Sequence, residues 1–405
     1  MQTTAETIAA LLPGPWVFRL GEGLGELAWR FMNERRRIVF RNLRIAFHGE
    51  HDLGTLEAMV RQSFRRTGAN LLSALHTARL SADRIEAFVS IENPKLLEEV
   101  LENSPGVVLL PCHMGNWEIL TRIHRLFPPG HANGALYRPL NNPLLDNRVL
   151  AQREREGTRL FSKRDSFHQI AGFVRDGGIL GILADQRAGT QGEVMRFFGR
   201  LTRASPLPSL VARRSKSAVL GMSLTTISPG KWKIRYHPLS GPPTTVHCMA
   251  AIENAMKASP LDVFWFQDRW KISFRRGRTI TDWLGLDPPG TGKRHRAVVW
   301  LVGQPEDTEI PEAWRHPDVD YEVVISPGQK ISSALKSSVT HHFLTDIRNR
   351  GGLAKFLSTV DLTHALPVDF ILACNPPKAL LKAAASTSIS LVSIFFAHES
   401  HPNPA

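Results

Sequence analysis

A chain of 405 residues, 42% hydrophobic and 21% charged, is long enough for two or three folded units, and this balance excludes a mostly disordered or fibrous protein. Fifty Lys and Arg against thirty-seven Asp and Glu give a formal charge of +13, which calls for an anionic partner: nucleic acid, an anionic membrane face or a phosphorylated substrate. The three cysteines, Cys112, Cys248 and Cys374, are far apart and fit neither a disulfide framework nor a zinc site, so a reducing compartment and no metal or cofactor are expected.

The first periodic segment covers residues 7–31. Ile8, Leu11, Leu12, Trp16, Leu20, Leu24, Leu27, Ala28 and Phe31 recur at three- and four-residue steps, the spacing of one apolar helix face, with Pro13 and Pro15 delaying its start. Arg19, Glu22 and Glu26 interrupt the segment. No cleavable signal is expected, and no stretch reaches the roughly 20 apolar residues that cross a bilayer. A basic cluster follows, Arg35, Arg36, Arg37, Arg41 and Arg44, and then Arg61, Arg65 and Arg66 on the next helix. The pattern fits a helix lying in a membrane headgroup region, and it fits a core helix with a solvated basic flank equally well.

Between residues 91 and 222 the pattern alternates. Apolar, β-rich runs at 107–110, 135–137, 179–183 and 218–222 are separated by helical patterns at 119–126, 144–156, 166–176 and 207–214. A further strand at 231–236 and a helix at 244–258 complete an α/β unit with a largely parallel central sheet flanked by helices. Asp287-Pro288-Pro289-Gly290-Thr291-Gly292-Lys293 reads as a linker. Beyond it, strands at 297–302, 321–325, 370–373 and 391–396, with helices at 331–336, 352–357 and 378–385, form about half of a doubly wound α/β domain without a phosphate loop. The expected organisation is therefore a membrane-associating helical region (1–90), an α/β core (91–286), a linker (287–294) and a small α/β appendage (295–405).

The segment Pro111-Cys112-His113-Met114-Gly115-Asn116-Trp117-Glu118 follows an apolar strand directly. A histidine at a strand's carboxyl end, with a carboxylate five positions later, supplies an imidazole and an acid to orient it. Acyl transfer to a hydroxyl needs such a pair: the imidazole takes the alcohol proton while the acid fixes its tautomer. A His capping a helix and a Glu complementing its dipole would give the same spacing without chemistry. Cys112 reads as a small buried thiol at a strand end rather than a nucleophile.

The same segment resembles the lipid A late acyltransferases, the lauroyl and myristoyl transferases of outer-membrane glycolipid assembly, which carry a strand and a His-x4-acid box. The likeness continues at Tyr137-Arg138-Pro139, at Leu183-Ala184-Asp185-Gln186, at Arg196-Phe197-Phe198-Gly199 and at Trp265-Phe266-Gln267-Asp268-Arg269-Trp270-Lys271. It also covers the entry, Arg41-Asn42-Leu43 and Ala46-Phe47, and so spans about residues 10–280. The resemblance implies His113 as base and Glu118 as its partner, with substrate contacts from Arg138, Asp185, Asn116, Trp117 and Arg269. Arg138 would grip a phosphate, and Asp185 would shape the acceptor side or hold Arg138. It implies an acyl-carrier protein or acyl-coenzyme A donor, a phosphorylated glycolipid acceptor and a peripheral place on the cytoplasmic face of the inner membrane. Gln267 and Asp268 depart from the family's His-Arg and remove one basic contact.

The segment 368–375 and the helix after it resemble the first half of heptosyltransferase-like glycosyltransferases. Without a second nucleotide-binding half, the expectation is an appendage for docking or stability. His341 and His342 lack accompanying ligands and read as ordinary surface residues. Two other functions compete. A nucleic-acid binder fits the charge but lacks any motif with interleaved aromatics, so no nucleic acid is expected. A glycerolipid acyltransferase shares the His-x4-acid box but uses Asp as the acid and a Pro-Glu-Gly motif, where this chain has Ala184-Asp185-Gln186.

Overall fold

The computed structural model describes residues 11–137, 142–154, 157–162, 165–270, 280, 294–332, 340–344, 347, 349–387 and 389–394. The chain divides into two compact units. The first comprises residues 1–36, 58–197 and 203–267, and the second residues 37–57, 198–202 and 268–405.

The chain enters through helices α1 (Gly14–Phe31), α2 (Asn33–Phe47) and α3 (Leu53–Thr77). Pro15 occupies the first turn of α1, where its missing N–H costs nothing. The expected apolar face of α1 exists, but it points outward. Gly14, Val17, Phe18, Gly21 and Gly25 are the buried residues, while Trp16, Leu20, Leu24 and Phe31 are 69%, 54%, 56% and 75% exposed. The glycines explain this orientation. A Cβ at Gly25 would stand 2.2 Å from the Phe64 carbonyl oxygen, and one at Gly21 would stand 2.6 Å from Ala69 Cα, so α1 and α3 meet backbone to backbone. The core-helix alternative is thereby excluded for these large side chains.

The basic cluster is also divided. Arg35 donates to the Phe266 carbonyl. Arg44, expected on a solvated flank, is buried within the second unit, bonded to Asp361 Oδ2 at 2.5 Å and to the carbonyls of Asp361 and His364.

The sheet of the first unit contains β1 (Val89–Ile91), β2 (Val107–Pro111), β3 (Asn133–Leu136), β4 (Arg159–Phe161), β5 (Ile179–Gly181), β8 (Ala218–Ser228) and β9 (Lys231–Pro238). Two short strands between β5 and β8, β6 (Glu193–Phe197) and β7 (Arg200–Ala204), lie outside it. The strand order is β1-β9-β8-β2-β5-β3-β4, parallel throughout except for the β8–β9 hairpin. All five residues of β2 are buried, as an uninterrupted apolar run at the centre of a covered parallel sheet should be. Chain order reverses at β2: β3 and β4 lie to one side, and β8 and β9 to the other. In open α/β sheets, ligands bind outside the carboxyl ends of the strands at such a reversal. The helical reading of 119–126 resolves into two 3₁₀ turns, Trp117–Arg122 and His124–Leu126.

The second unit holds a wholly parallel sheet of β10 (His295–Trp300), β11 (Val319–Ile325), β12 (Thr340–Phe343), β13 (Phe370–Ala373) and β14 (Ser390–Ser393), ordered β12-β11-β10-β13-β14. Ala297, Val299 and Leu301 join one apolar cluster while Val298 and Trp300 join another, so both faces of the sheet are covered. This is the expected parallel-sheet half-domain, and among the described residues both of its α-helices, Arg350–Asp361 and Lys378–Ser386, pack on the face of Val298 and Trp300. Its interior also carries charge: Arg296 and His342 both bind Glu322, and Arg200 and His295 both bind Asp369. Burial raises the pKa of Glu322, but hydrogen bonds from His342 and Arg296 outweigh it and hold the carboxyl at about 2. Asp369 is likewise held at about 2, where the charges of Arg200 and His295 overcome burial. His342, on strand β12 and partly buried, is therefore a hydrogen-bond partner of the buried Glu322 rather than an exposed helix or loop residue.

Candidate active site

The site forms at the carboxyl end of β2. Leu109 pairs with Gly181 across the β2–β5 ladder, a register offset of 72 residues, and extending both chains four residues brings His113 opposite Asp185. Their side chains meet there. His113 Nδ1 lies 2.7 Å from Asp185 Oδ1, with the carboxylate fully buried and the imidazole partly open to solvent. A carboxylate accepts and cannot donate, so the imidazole proton resides on Nδ1. Nε2, which has no hydrogen bond among the described residues, then keeps its lone pair.

Spacing along the chain pairs His113 with Glu118, but the structure brings the imidazole to a different carboxylate. Glu118 turns to Arg153 on helix α4 (Pro143–Glu154), whose guanidinium grips both oxygens: Nη2 lies 2.8 Å from Oε1, and Nε lies 3.1 Å from Oε2. Glu118 sits in the first turn of the 3₁₀ helix that follows Asn116. Arg153 has no counterpart in the sequence reading. Helix α4 shows little amphipathic bias, so nothing in its pattern marks one arginine among its polar residues.

The loop between His113 and Glu118 is tightly built. Gly115 has φ +57°, and a Cβ there would stand 2.4 Å from the Leu224 carbonyl oxygen, so only glycine fits. The Gly115 N–H donates to the Asp262 carbonyl, and the Phe264 N–H donates to the His113 carbonyl, pinning the loop from both sides. Asn116, expected to contact substrate, is buried, and its amide donates to Thr77 Oγ1 at 3.1 Å. It therefore braces the loop against α3. Trp117 lies edge-on to His113, with ring centroids 5.4 Å apart, and continues through Phe264 to Phe266 as an aromatic wall.

Arg269 is buried in the second unit, where its carbonyl accepts a hydrogen bond from Thr202 Oγ1. Arg138 lies outside the described residues. Cys112 is buried, its sulfur 3.9 Å from the Ile252 carbonyl, as expected of a packing thiol.

This constellation can accept a proton at Nε2 while a buried carboxylate stabilises the imidazolium, which is general-base chemistry without a protein nucleophile. Residues 3–272 match the bacterial lipid A biosynthesis acyltransferase family. The lipid A biosynthesis lauroyltransferase of Escherichia coli (strain K12) is 26% identical over 270 residues, covering 64% of this chain and 87% of that protein. The lipid A biosynthesis palmitoleoyltransferase of the same strain is 24% identical over 269 residues, covering 64% and 86%. A lipid A biosynthesis acyltransferase of Haemophilus influenzae is 29% identical over 159 residues, 38% of this chain and 48% of that protein. The family match ends at residue 272, before β10 begins. The match over residues 3–272, two thirds of the chain, places it in the bacterial lipid A biosynthesis acyltransferase family, and it is an acyltransferase.

Proposed function

We propose that this acyltransferase moves a fatty acyl group from a thioester, carried by acyl-carrier protein or coenzyme A, to a hydroxyl of a lipid A-type phosphoglycolipid, with His113 as general base. The observation that carries the reading is the 2.7 Å bond from His113 to buried Asp185, which leaves Nε2 as the accepting atom. The acceptor oxygen attacks the thioester carbonyl as its proton passes to Nε2. The tetrahedral intermediate then collapses, expelling the thiolate, which recovers that proton as a thiol, and an ester remains. Asp185 orients the imidazole and offsets its transient charge. Glu118 acts through Arg153, holding a guanidinium at the site for an anionic group of substrate. Arg138 is assigned the acceptor or donor phosphate on the family resemblance.

The reaction is placed on the cytoplasmic face of the inner membrane, with the protein bound peripherally. No helix among the described residues is long and apolar enough to cross a membrane. The exposed row Trp16, Leu20, Leu24 and Phe31 on α1 supports interfacial binding, with exposed arginines nearby to meet anionic headgroups. The decisive test is His113→Ala in a reconstituted transfer assay, because general-base work alone contributes about 10²–10⁴-fold. Turnover like that of the parent protein in a folded His113→Ala variant would end the mechanism.

A further inference from the structure

An apolar cavity lies on the face of the first unit's sheet beside the dyad. Leu109 and Pro111 of β2, Gly181 of β5 with Leu183 just beyond it, and Met222 of β8 form its floor, and Trp117 forms part of its wall. These floor residues are in register: Leu109 pairs with Gly181 and Pro111 with Met222. Side chains alternate faces along a strand, so residues two apart share a side. Pro111 stands two residues before His113, and Leu183 two before Asp185. The cavity therefore lies on the same side of the sheet as the reacting pair, and Trp117 is common to both.

Its size and position suit a hydrocarbon chain. The volume is about 70 Å³ of space reachable by a water-sized sphere, room for about five to seven water-sized groups at ~10–15 Å³ each. From Asp185 back to Gly181 is four residues, about 13 Å of extended chain, the scale of a medium-length acyl tail. Two features set its limit. Gly181 contributes no side chain, and a Cβ added there would meet only the Gly134 carbonyl oxygen, at 3.7 Å, so the space above it is open. Farther from the dyad stands Asn133, whose Oδ1 is buried without a hydrogen-bond partner among the described residues, at the level of Ile179. An alkyl terminus pressed against that oxygen would deny it water and return nothing.

We infer that this cavity seats the donor's acyl tail and that Gly181 determines its length, with Asn133 closing the far end. The inference rests on the transfer reaction proposed above. A larger side chain at residue 181 occupies the volume that the outer methylenes would fill, so long donors lose affinity in the transition state while short donors do not.

The experiment uses the full chain with Gly181→Ala, Gly181→Val and Gly181→Leu, and a series of saturated acyl-coenzyme A thioesters from hexanoyl to palmitoyl. Each displaced methylene should cost about fourfold in kcat/KM, so Gly181→Leu, which adds four carbons, should lose on the order of two-hundred-fold against the longest accepted donor while short donors stay within a few-fold. The preferred length should fall stepwise from Gly to Ala to Val to Leu. Gly181→Ala guards against misfolding, since its added methyl meets ordinary contact distance. In parallel, the rise in melting temperature given by free fatty acids of the same lengths reads the cavity without turnover. An unchanged length profile in an active variant, or an equal loss at every length, overturns the inference and leaves the transfer reaction standing. Absence of transfer by the parent protein, together with fatty-acid stabilisation whose length limit moves with residue 181, fails the reaction and sustains the cavity. Stabilisation indifferent to residue 181 overturns the cavity assignment.

Discussion

Replacing Asp185 with Asn separates orientation of the imidazole from everything else the carboxylate does. The two side chains have the same shape, and Asp185 is fully buried, so packing is preserved. The chemistry is not. At 2.7 Å an amide nitrogen facing His113 Nδ1 would donate to it, moving the ring proton to Nε2 and removing the lone pair that must accept the alcohol proton. The same change in a buried Ser-His-Asp triad drops kcat about 10⁴-fold, about 5.5 kcal/mol, and a loss of 10³–10⁴-fold is expected here. Transfer of labelled acyl groups gives the rate, nitrogen NMR of the imidazole gives the tautomer, and the melting temperature shows that the fold survives. Glu118→Gln serves as the contrast. Its hydrogen-bond partner is Arg153, so it should leave the His113 tautomer unchanged whatever it does to the rate. Asp185→Asn activity within tenfold of the parent, or an Nδ1-protonated ring in the variant, would refute the assignment.

Three further outcomes are expected. Changing Leu20 and Leu24 to Asp should cut binding to anionic vesicles by on the order of 10²–10⁴-fold, since each leucine withdraws about 1.5–3 kcal/mol of apolar burial; co-sedimentation measures it, and the circular dichroism spectrum should not change because both residues are exposed. Gly25→Ala should destabilise the first unit by roughly 1–3 kcal/mol, because its Cβ would stand 2.2 Å from the Phe64 carbonyl oxygen, whereas Gly23→Ala, with nothing within 4 Å, should be neutral or stabilising by up to about 1 kcal/mol; urea titration compares them. In the second unit, Glu322 and Asp369 titrate near 2 when folded and near ~4 when unfolded, so their stabilisation is present above about pH 4.5 and is lost as pH falls toward about 2. A melting temperature that holds steady through that window would show that these carboxylates are not coupled to folding.

Most strands were legible in the sequence because a parallel sheet covered on both faces demands apolar runs, and β2, β8, β10 and β13 supply them. The three-residue β1 and the polar strands β6 and β7 offer no such run and escaped the reading. Periodicity found the apolar face of α1 but left its direction open between a core and a membrane surface. A helical face is apolar whether it meets a core or a membrane, and the discriminating signal was on the other side, in Gly14, Gly21 and Gly25. His113 was marked by its position after a strand. Its carboxylate partner was not, because nearness along the chain was read as nearness in space, whereas the β2–β5 register supplies an acid 72 residues away. Arg44 was read as surface charge, and only the fold shows Asp361 waiting for it.

That register makes the dyad a lateral property of the sheet, independent of how much chain lies between its two members. The turn around Gly130, which has no close neighbours, can lengthen freely without moving His113 relative to Asp185, since β3 and β4 hang on the far side of β5. The three residues from Ile182 to Ala184 have no such freedom. Removing one of them would turn the carboxylate to the opposite face of the sheet, as any one-residue slip does. Natural diversity in chains built this way should therefore gather in the crossovers, while the few residues linking each central strand to its polar tip keep a fixed count.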